Sequence, residues 1–182
     1  MSHPYFPDLT IETAPEEARP HMRAMRDRLG YLPHAVARMA HSPGLLDGFG
    51  IMTRLFDASA LAPIEREVVV MTIATRNDCE LCVAMHTTIL RRLRADADVV
   101  AALRAASPIP VERLEALRRF TLAVVTTAGG VSDDELTAFT EHGFTARDAL
   151  DVVLGVGAYT LSTFANRLTR APIDPPLRPF AP

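Results

Sequence analysis

Cys79 and Cys82 stand three positions apart in the run Asn77-Asp78-Cys79-Glu80-Leu81-Cys82-Val83-Ala84-Met85-His86, and His86 follows four positions later. At about 100° per residue, a helix projects all three from one face roughly 60° wide. Asp78 is a natural N-cap, so the expected helix opens just before Cys79, where its dipole favours a thiolate on either cysteine. An i, i+3 separation of about 5–6 Å is compatible with a disulfide. Dithiol redox chemistry follows from this geometry. The rival is zinc, with Cys79, Cys82, His86 and Glu67 as four ligands. Structural zinc usually draws on two separated knuckles, and three ligands from one straight helix splay poorly around a tetrahedron. These are the only two cysteines in the chain, and one bridge closing so small a loop would stabilise a secreted fold poorly.

The elements that must position this stripe are helical. All 14 prolines lie within Pro4–Pro63, at Pro108 and Pro110, or from Pro172 onward. The two proline-free windows, 64–107 and 111–171, are far too long for single strands. Ser42-Pro43 opens a helix expected to reach about residue 58, and Pro63 opens another reaching about Arg76. Ser132 to Glu135 and Thr145 to Asp148 read as capping boxes, the second opening a helix to about Thr169. The run Val68-Val69-Val70 has strand propensity, but no turn residue separates it from Glu65, so a helix buried on most sides is expected. If the helices before residue 77 and after 78 form an antiparallel hairpin, residues equidistant from the turn come level. Glu67 then faces His86 to within about a turn. A carboxylate there fixes the imidazole's tautomer and leaves its other nitrogen free to take a thiol proton.

The chain's 182 residues suit one domain over 1–182, with an N-terminal arm and helix over 1–27 and an extended proline-rich tail over 171–182. Hydrophobic residues make up 48% and the net charge is −3, so neither disorder nor a nucleic-acid or anionic-membrane footprint is indicated. All 19 cations are arginine, which excludes Schiff-base lysine chemistry and the lysine-bearing P-loop. The longest apolar stretch, 149–165, carries Asp151 and is too short for a membrane span; the start does not read as a signal peptide, so a cytoplasmic location is expected. Of the remaining histidines, His34 and His41 are spaced to share a helix face, and His21 and His142 read as surface or cap residues.

Glu67, twelve positions before Cys79, together with the Cys-x-x-Cys-x-x-x-His run, resembles the signature of the alkylhydroperoxidase D-like (AhpD-like) branch of the carboxymuconolactone decarboxylase superfamily. Gly30 to Pro33 and His41 to Pro43 resemble the lead-in of its peroxidase-related members, and 148–167, with Tyr159 and Asn166, resembles their closing helix. The resemblance implies an all-α bundle around a helical hairpin, and a homo-oligomer that is a trimer or a multiple of one. It makes Cys82 the peroxide-attacking thiol, Cys79 the resolving thiol, His86 the base and Glu67 the group that orients it. Leu81 departs from the pattern, since the best-studied branch has a further histidine there. The implied reaction takes a small hydroperoxide as substrate, passes through a Cys79–Cys82 disulfide, is reset by an external dithiol and needs no organic cofactor. Three other readings compete with it: a disulfide oxidoreductase or redox sensor without peroxide turnover, a zinc protein, and a lactone decarboxylase, the last not expected to need a cysteine pair.

Overall fold

The computed structural model describes residues 4–182, and these are helical with no strand among them. The helices are α1 (Arg19–Leu29), α2 (His34–Met39), α3 (Pro43–Asp57), α4 (Pro63–Arg76), α5 (Glu80–Arg92), α6 (Ala97–Arg104), α7 (Glu112–Thr126), α8 (Asp133–Glu141) and α9 (Ala146–Thr169). The capping signals act as expected. Ser42 accepts from the Leu45 amide, and the boxes at Ser132/Glu135 and Thr145/Asp148 both close. At the start of α4, Glu65 reaches back to the Ala62 amide (2.8 Å) while its other oxygen accepts from Arg113 Nε (2.8 Å), tying α4 to α7.

α4 is the axis of the bundle and packs against α5, α6, α7 and α9. Val68, Val69, Met71, Ile73 and Ala74 are fully enclosed, which explains a composition that mimics a strand. A helix surrounded on every side has no polar face to keep, so the β-branched run is accommodated by packing rather than propensity. α9 crosses α3 and α4 so closely that a methyl on Gly155 would stand 2.6 Å from Phe56 Cε2 and 3.1 Å from Val69 Cγ1.

The N-terminal arm is held down by α2. Arg38 Nε donates to Asp8 (2.7 Å), His34 Nδ1 pairs with Asp8 (2.8 Å) and His41 Nε2 with the Pro7 carbonyl (2.8 Å). Arg38 also donates to the carbonyls of Thr169 and Arg170, capping the end of α9. The tail corrects the expectation of an extended segment over 171–182. Pro175–Phe180 form a 3₁₀ turn packed on α5, because the φ that proline imposes suits a 3₁₀ helix as well as an extended one and Leu177 is buried there. The His34 amide donates to Asp174, and Arg104 donates to the carbonyls of Phe180 and Ala181. Among the described residues no helix is long and apolar enough to cross a membrane.

The close crossing at Gly155 makes a signed prediction. Gly155→Ala should gain about 1 kcal/mol of helix propensity yet lose about 1–3 kcal/mol by overpacking against the enclosed Phe56 ring, lowering the thermal midpoint by a few degrees. Gly48→Ala in α3, where a methyl meets nothing within 4 Å, should raise it. Thermal denaturation of the two variants checks both signs.

Candidate active site

The cysteines sit on the turn between α4 and α5, and the turn's backbone explains their placement. Asp78 takes a left-handed conformation (φ 46°), its amide donates to the Thr75 carbonyl, and the Cys79 amide donates to Ala74 O at 2.9 Å. This pair of bonds is a Schellman ending of α4 with Asp78 at the position usually given to glycine. Asp78 is therefore not the N-cap of α5; Cys79 is, and α5 begins at Glu80. The side chain of Asp78 is turned outward to Arg167, which also donates to the Asn77 carbonyl and so pins the turn to α9. The short link leaves Cys79 and Cys82 both buried with their sulfurs 2.6 Å apart as free thiols.

Glu67 and His86 meet as the hairpin count requires. Glu67 Oε2 lies 2.8 Å from His86 Nδ1, and both side chains are buried. An ionised carboxylate only accepts, so Nδ1 carries the hydrogen and the lone pair of a neutral ring is left on Nε2. Tyr159 of α9 packs edge-on against the imidazole (5.4 Å between centroids) and against Phe49 and Phe56. Burial, then the nearby charge of Glu67, holds the Tyr159 phenol well above its ordinary pKa, so it is a neutral wall rather than a base.

The two thiols are not equivalent. The Cys79 thiol is pushed down to about 7, chiefly because Cys82 S–H can donate to its thiolate; the Cys82 backbone, Asn166 and the His86 charge add to this against the effect of burial. Cys82 is pushed up, because ionising it gives up the bond to Cys79, and because of burial and the charge on Cys79. Asn166 and Ser162 pull Cys82 back down in part, with Asn166 Nδ2 3.4 Å from its sulfur. Negative charge is therefore better supported on Cys79 than on Cys82, although proximity to the base does not single out Cys79.

All four residues singled out in the sequence, Glu67, Cys79, Cys82 and His86, are gathered in one buried cluster. Ser162 and Asn166, which bear on the sulfurs from α9, were not recognisable as site residues. Their signal was present as polar residues at helical spacing, Tyr159, Ser162, Thr163 and Asn166, on an otherwise apolar helix. Among the described residues no group of three or more His, Cys, Asp or Glu is arranged to hold a metal ion. A surface cleft of about 660 Å³, lined by Leu45, Arg76, Leu161, Phe164 and Arg167 among others, is lined by neither cysteine.

Comparison with known proteins agrees with the helical reading. A family model, the carboxymuconolactone decarboxylase family, matches residues 48–123, the segment from α3 through most of α7 that contains the whole cluster except α9. No curated protein is similar enough in sequence to match. Among solved structures, the chain is similar to an AhpD-core, peroxidase-related protein of uncharacterised function from Ralstonia eutropha (TM-score 0.83, 24% identity, 94% of this chain and 93% of that one). It is similar to a peroxidase-related protein from Silicibacter sp. (TM-score 0.77, 20% identity, 93% and 92%). It also shares its fold with the debrominase Bmp8, solved in complex with 2,3,4-tribromopyrrole (TM-score 0.73, 20% identity, 95% and 93%). The all-α, AhpD-like architecture expected from the motif is therefore the architecture found. The chain is thus similar to the carboxymuconolactone decarboxylase family over the motif-bearing segment, residues 48–123, and shares the AhpD-like fold over nearly its whole length.

Proposed function

We propose that the protein is a thiol-dependent hydroperoxide reductase whose working group is the Cys79–Cys82 pair. The observation that carries this is two free, buried sulfurs 2.6 Å apart, served by an imidazole that a buried carboxylate holds at 2.8 Å. Two thiols so placed deliver two electrons and end as a disulfide, which is the stoichiometry a peroxide bond requires. An external dithiol then restores the pair by exchange. The same chemistry could remove a halogen from an activated ring, as the fold shared with a debrominase suggests, and the Phe49, Phe56 and Tyr159 cluster beside His86 favours that as the second reading.

The order of attack reverses the one implied by the resemblance. Proximity to His86 alone would favour Cys82, whereas negative charge is better supported on Cys79, where Cys82 S–H and the first turn of α5 stabilise it. Cys79 gives its proton to Nε2 of His86 and its thiolate attacks the hydroxyl oxygen of the hydroperoxide; the O–O bond breaks, and the alkoxide takes that proton from His86, leaving Cys79 sulfenic acid and a neutral imidazole. Cys82 then gives its proton to His86 and attacks the Cys79 sulfur; hydroxide leaves as water with that proton, and the disulfide forms. Glu67 holds the ring for both transfers.

The outward face of α9 supports assembly with further copies of this chain. Leu150, Val153, Phe164 and Leu168 are exposed along one stripe, and the tail, docked on its own α5, does not cover it. Light scattering should give a mass above the 19.9 kDa of one chain, and Phe164→Asp with Leu168→Asp should lower it; a 19.9 kDa species for the unaltered protein would refute assembly.

The order of attack is read from single-cysteine variants. Cys82→Ser should consume about one equivalent of an organic hydroperoxide and leave a dimedone-trappable sulfenic acid on Cys79, and Cys79→Ser should do neither. The opposite pattern restores Cys82 as the attacking thiol. No hydroperoxide consumption by the unaltered protein with a dithiol supplied, or tight equimolar zinc that blocks thiol titration, sinks the function itself.

The pH dependence has a definite sign. Because the Cys79 thiol is lowered to about 7, its thiolate is present above that pH and lost as pH falls through it. Alkylation of Cys79 by iodoacetamide should therefore show a midpoint near pH 7 instead of the ordinary value of about 8.5, with peroxide reduction declining over the same range. A midpoint at the ordinary value would contradict the assignment.

A further inference from the structure

We propose that Asn166 is a catalytic residue of this dithiol site: its Nδ2 stabilises negative charge on Cys82 when that sulfur attacks, and its Oδ1 accepts from the hydroxyl that passes from the hydroperoxide to Cys79. The proposal rests on the peroxide-reducing reading above and assigns a residue from outside the motif. Asn166 lies 84 positions from Cys82 and is 4% exposed, yet its amide nitrogen is 3.4 Å from Cys82 Sγ. The same amide helps to lower the Cys79 thiol as well as Cys82. Its Oδ1 is buried with no hydrogen-bond partner.

A buried amide oxygen without a donor is unfavourable by about 1–3 kcal/mol; natural proteins retain few, and such an atom on an amide whose nitrogen stands 3.4 Å from Cys82 Sγ fits a ligand that brings the missing hydrogen. The orientation of the amide follows from proton counting. Once Cys79 has ionised, the one remaining S–H lies between the sulfurs, so each sulfur can only accept from Asn166, and Nδ2 must be the end that faces them. Oδ1 then needs an O–H donor. The hydroperoxide has one, on the oxygen that Cys79 attacks. When the O–O bond breaks, that oxygen remains on Cys79 as the sulfenic hydroxyl, and its hydrogen can stay on Oδ1 throughout. In the second step the Cys82 thiol, harder to ionise than Cys79, must become a thiolate, and the Nδ2 donor at 3.4 Å supports it together with Ser162. The electron count is unchanged: two electrons leave the sulfurs, the O–O bond is reduced, and His86 carries the protons. Glu67, His86 and Tyr159 are the other titratable groups around the pair, and none of them can offer donor and acceptor from one rigid group at the sulfurs.

The test separates the two ends of the amide and does not depend on turnover. In a Cys79→Ser background, the pH midpoint of Cys82 alkylation by iodoacetamide should rise by about one unit in Asn166→Ala, for loss of one charge-assisted donor, and further in the isosteric Asn166→Asp, which adds a negative charge. Unchanged helicity and thermal midpoint in either variant suffice to read it. With both cysteines present, the rate constant of Asn166→Ala for tert-butyl hydroperoxide should fall by about tenfold more than its alkylation rate at the same pH, and the sulfenic acid on Cys79 should persist longer. An unmoved midpoint overturns the donor role, and peroxide and alkylation rates that fall together overturn the acceptor role. If the unaltered protein does not reduce hydroperoxides, the proposed function and the acceptor role fail, while the Cys82 midpoint still decides the donor role.

Discussion

The buried contact between Glu67 and His86 is the constraint on which the rest of the structure depends. A carboxylate removed from water is strongly unfavourable unless it is hydrogen-bonded, and Glu67 sits on the most enclosed helix of the bundle, among Val68, Val70 and Met71. Its partner must therefore arrive at a fixed place, which sets the register of α5 against α4. That register leaves no freedom in the connecting turn. α4 ends at Arg76 and α5 starts at Glu80, so only three residues reverse the chain. A left-handed residue at Asp78 closes the reversal, and Cys79 is delivered to the entrance of α5 next to Cys82. The sulfur geometry is thus a consequence of the carboxylate–imidazole register and of the shortness of the turn.

The asymmetry between the thiols comes from the same arrangement. Cys79 is the N-cap of α5, where first-turn amides have no intrahelical partner, whereas Cys82 lies one turn inside the helix; both are buried. A charge at the first position is supported by the backbone and by the neighbouring S–H; a charge at the second has to be supported from outside the hairpin. Only α9 can do this, and it presents Ser162 and Asn166 there. The difference between an easily ionised sulfur and a reluctant one therefore follows from their positions along one helix.

How much of this could be read from the sequence depends on the range of the interaction. The facing of Glu67 and His86 was legible because helical period and hairpin symmetry are both local rules, and the caps at Ser42, Ser132 and Thr145 were legible for the same reason. Asp78 misled because aspartate serves equally as an N-cap and as a left-handed residue, and the choice between them is made by how closely α4 and α5 must approach. The tail misled because proline fixes φ but not ψ, and the contacts of Leu177 and Asp174 with distant residues decide the rest. Asn166 could be placed on the closing helix but not at the sulfurs, since nothing within its own stretch of chain records which helix α9 crosses.

α9 carries the remaining argument, because its amphipathicity is inverted. Tyr159, Ser162, Thr163 and Asn166 recur at helical spacing on the inward side, while Leu150, Val153, Leu161, Phe164 and Leu168 recur on the opposite side, where several stand exposed. A helix in an isolated globular chain has the reverse pattern, with apolar residues inward and polar residues in water. The inward polar residues are accounted for by the sulfurs and the turn they serve: Asn77 donates to Thr163, and Asn166 faces Cys82. The outward apolar stripe has no such account within a single chain. Its burial against another copy would press on the back of the helix that holds Asn166, so that subunit contact and sulfur ionisation would share one rigid element. On that account one side of α9 would face the sulfurs and the other a second copy, and its pattern of inward polar and outward apolar residues would answer to both.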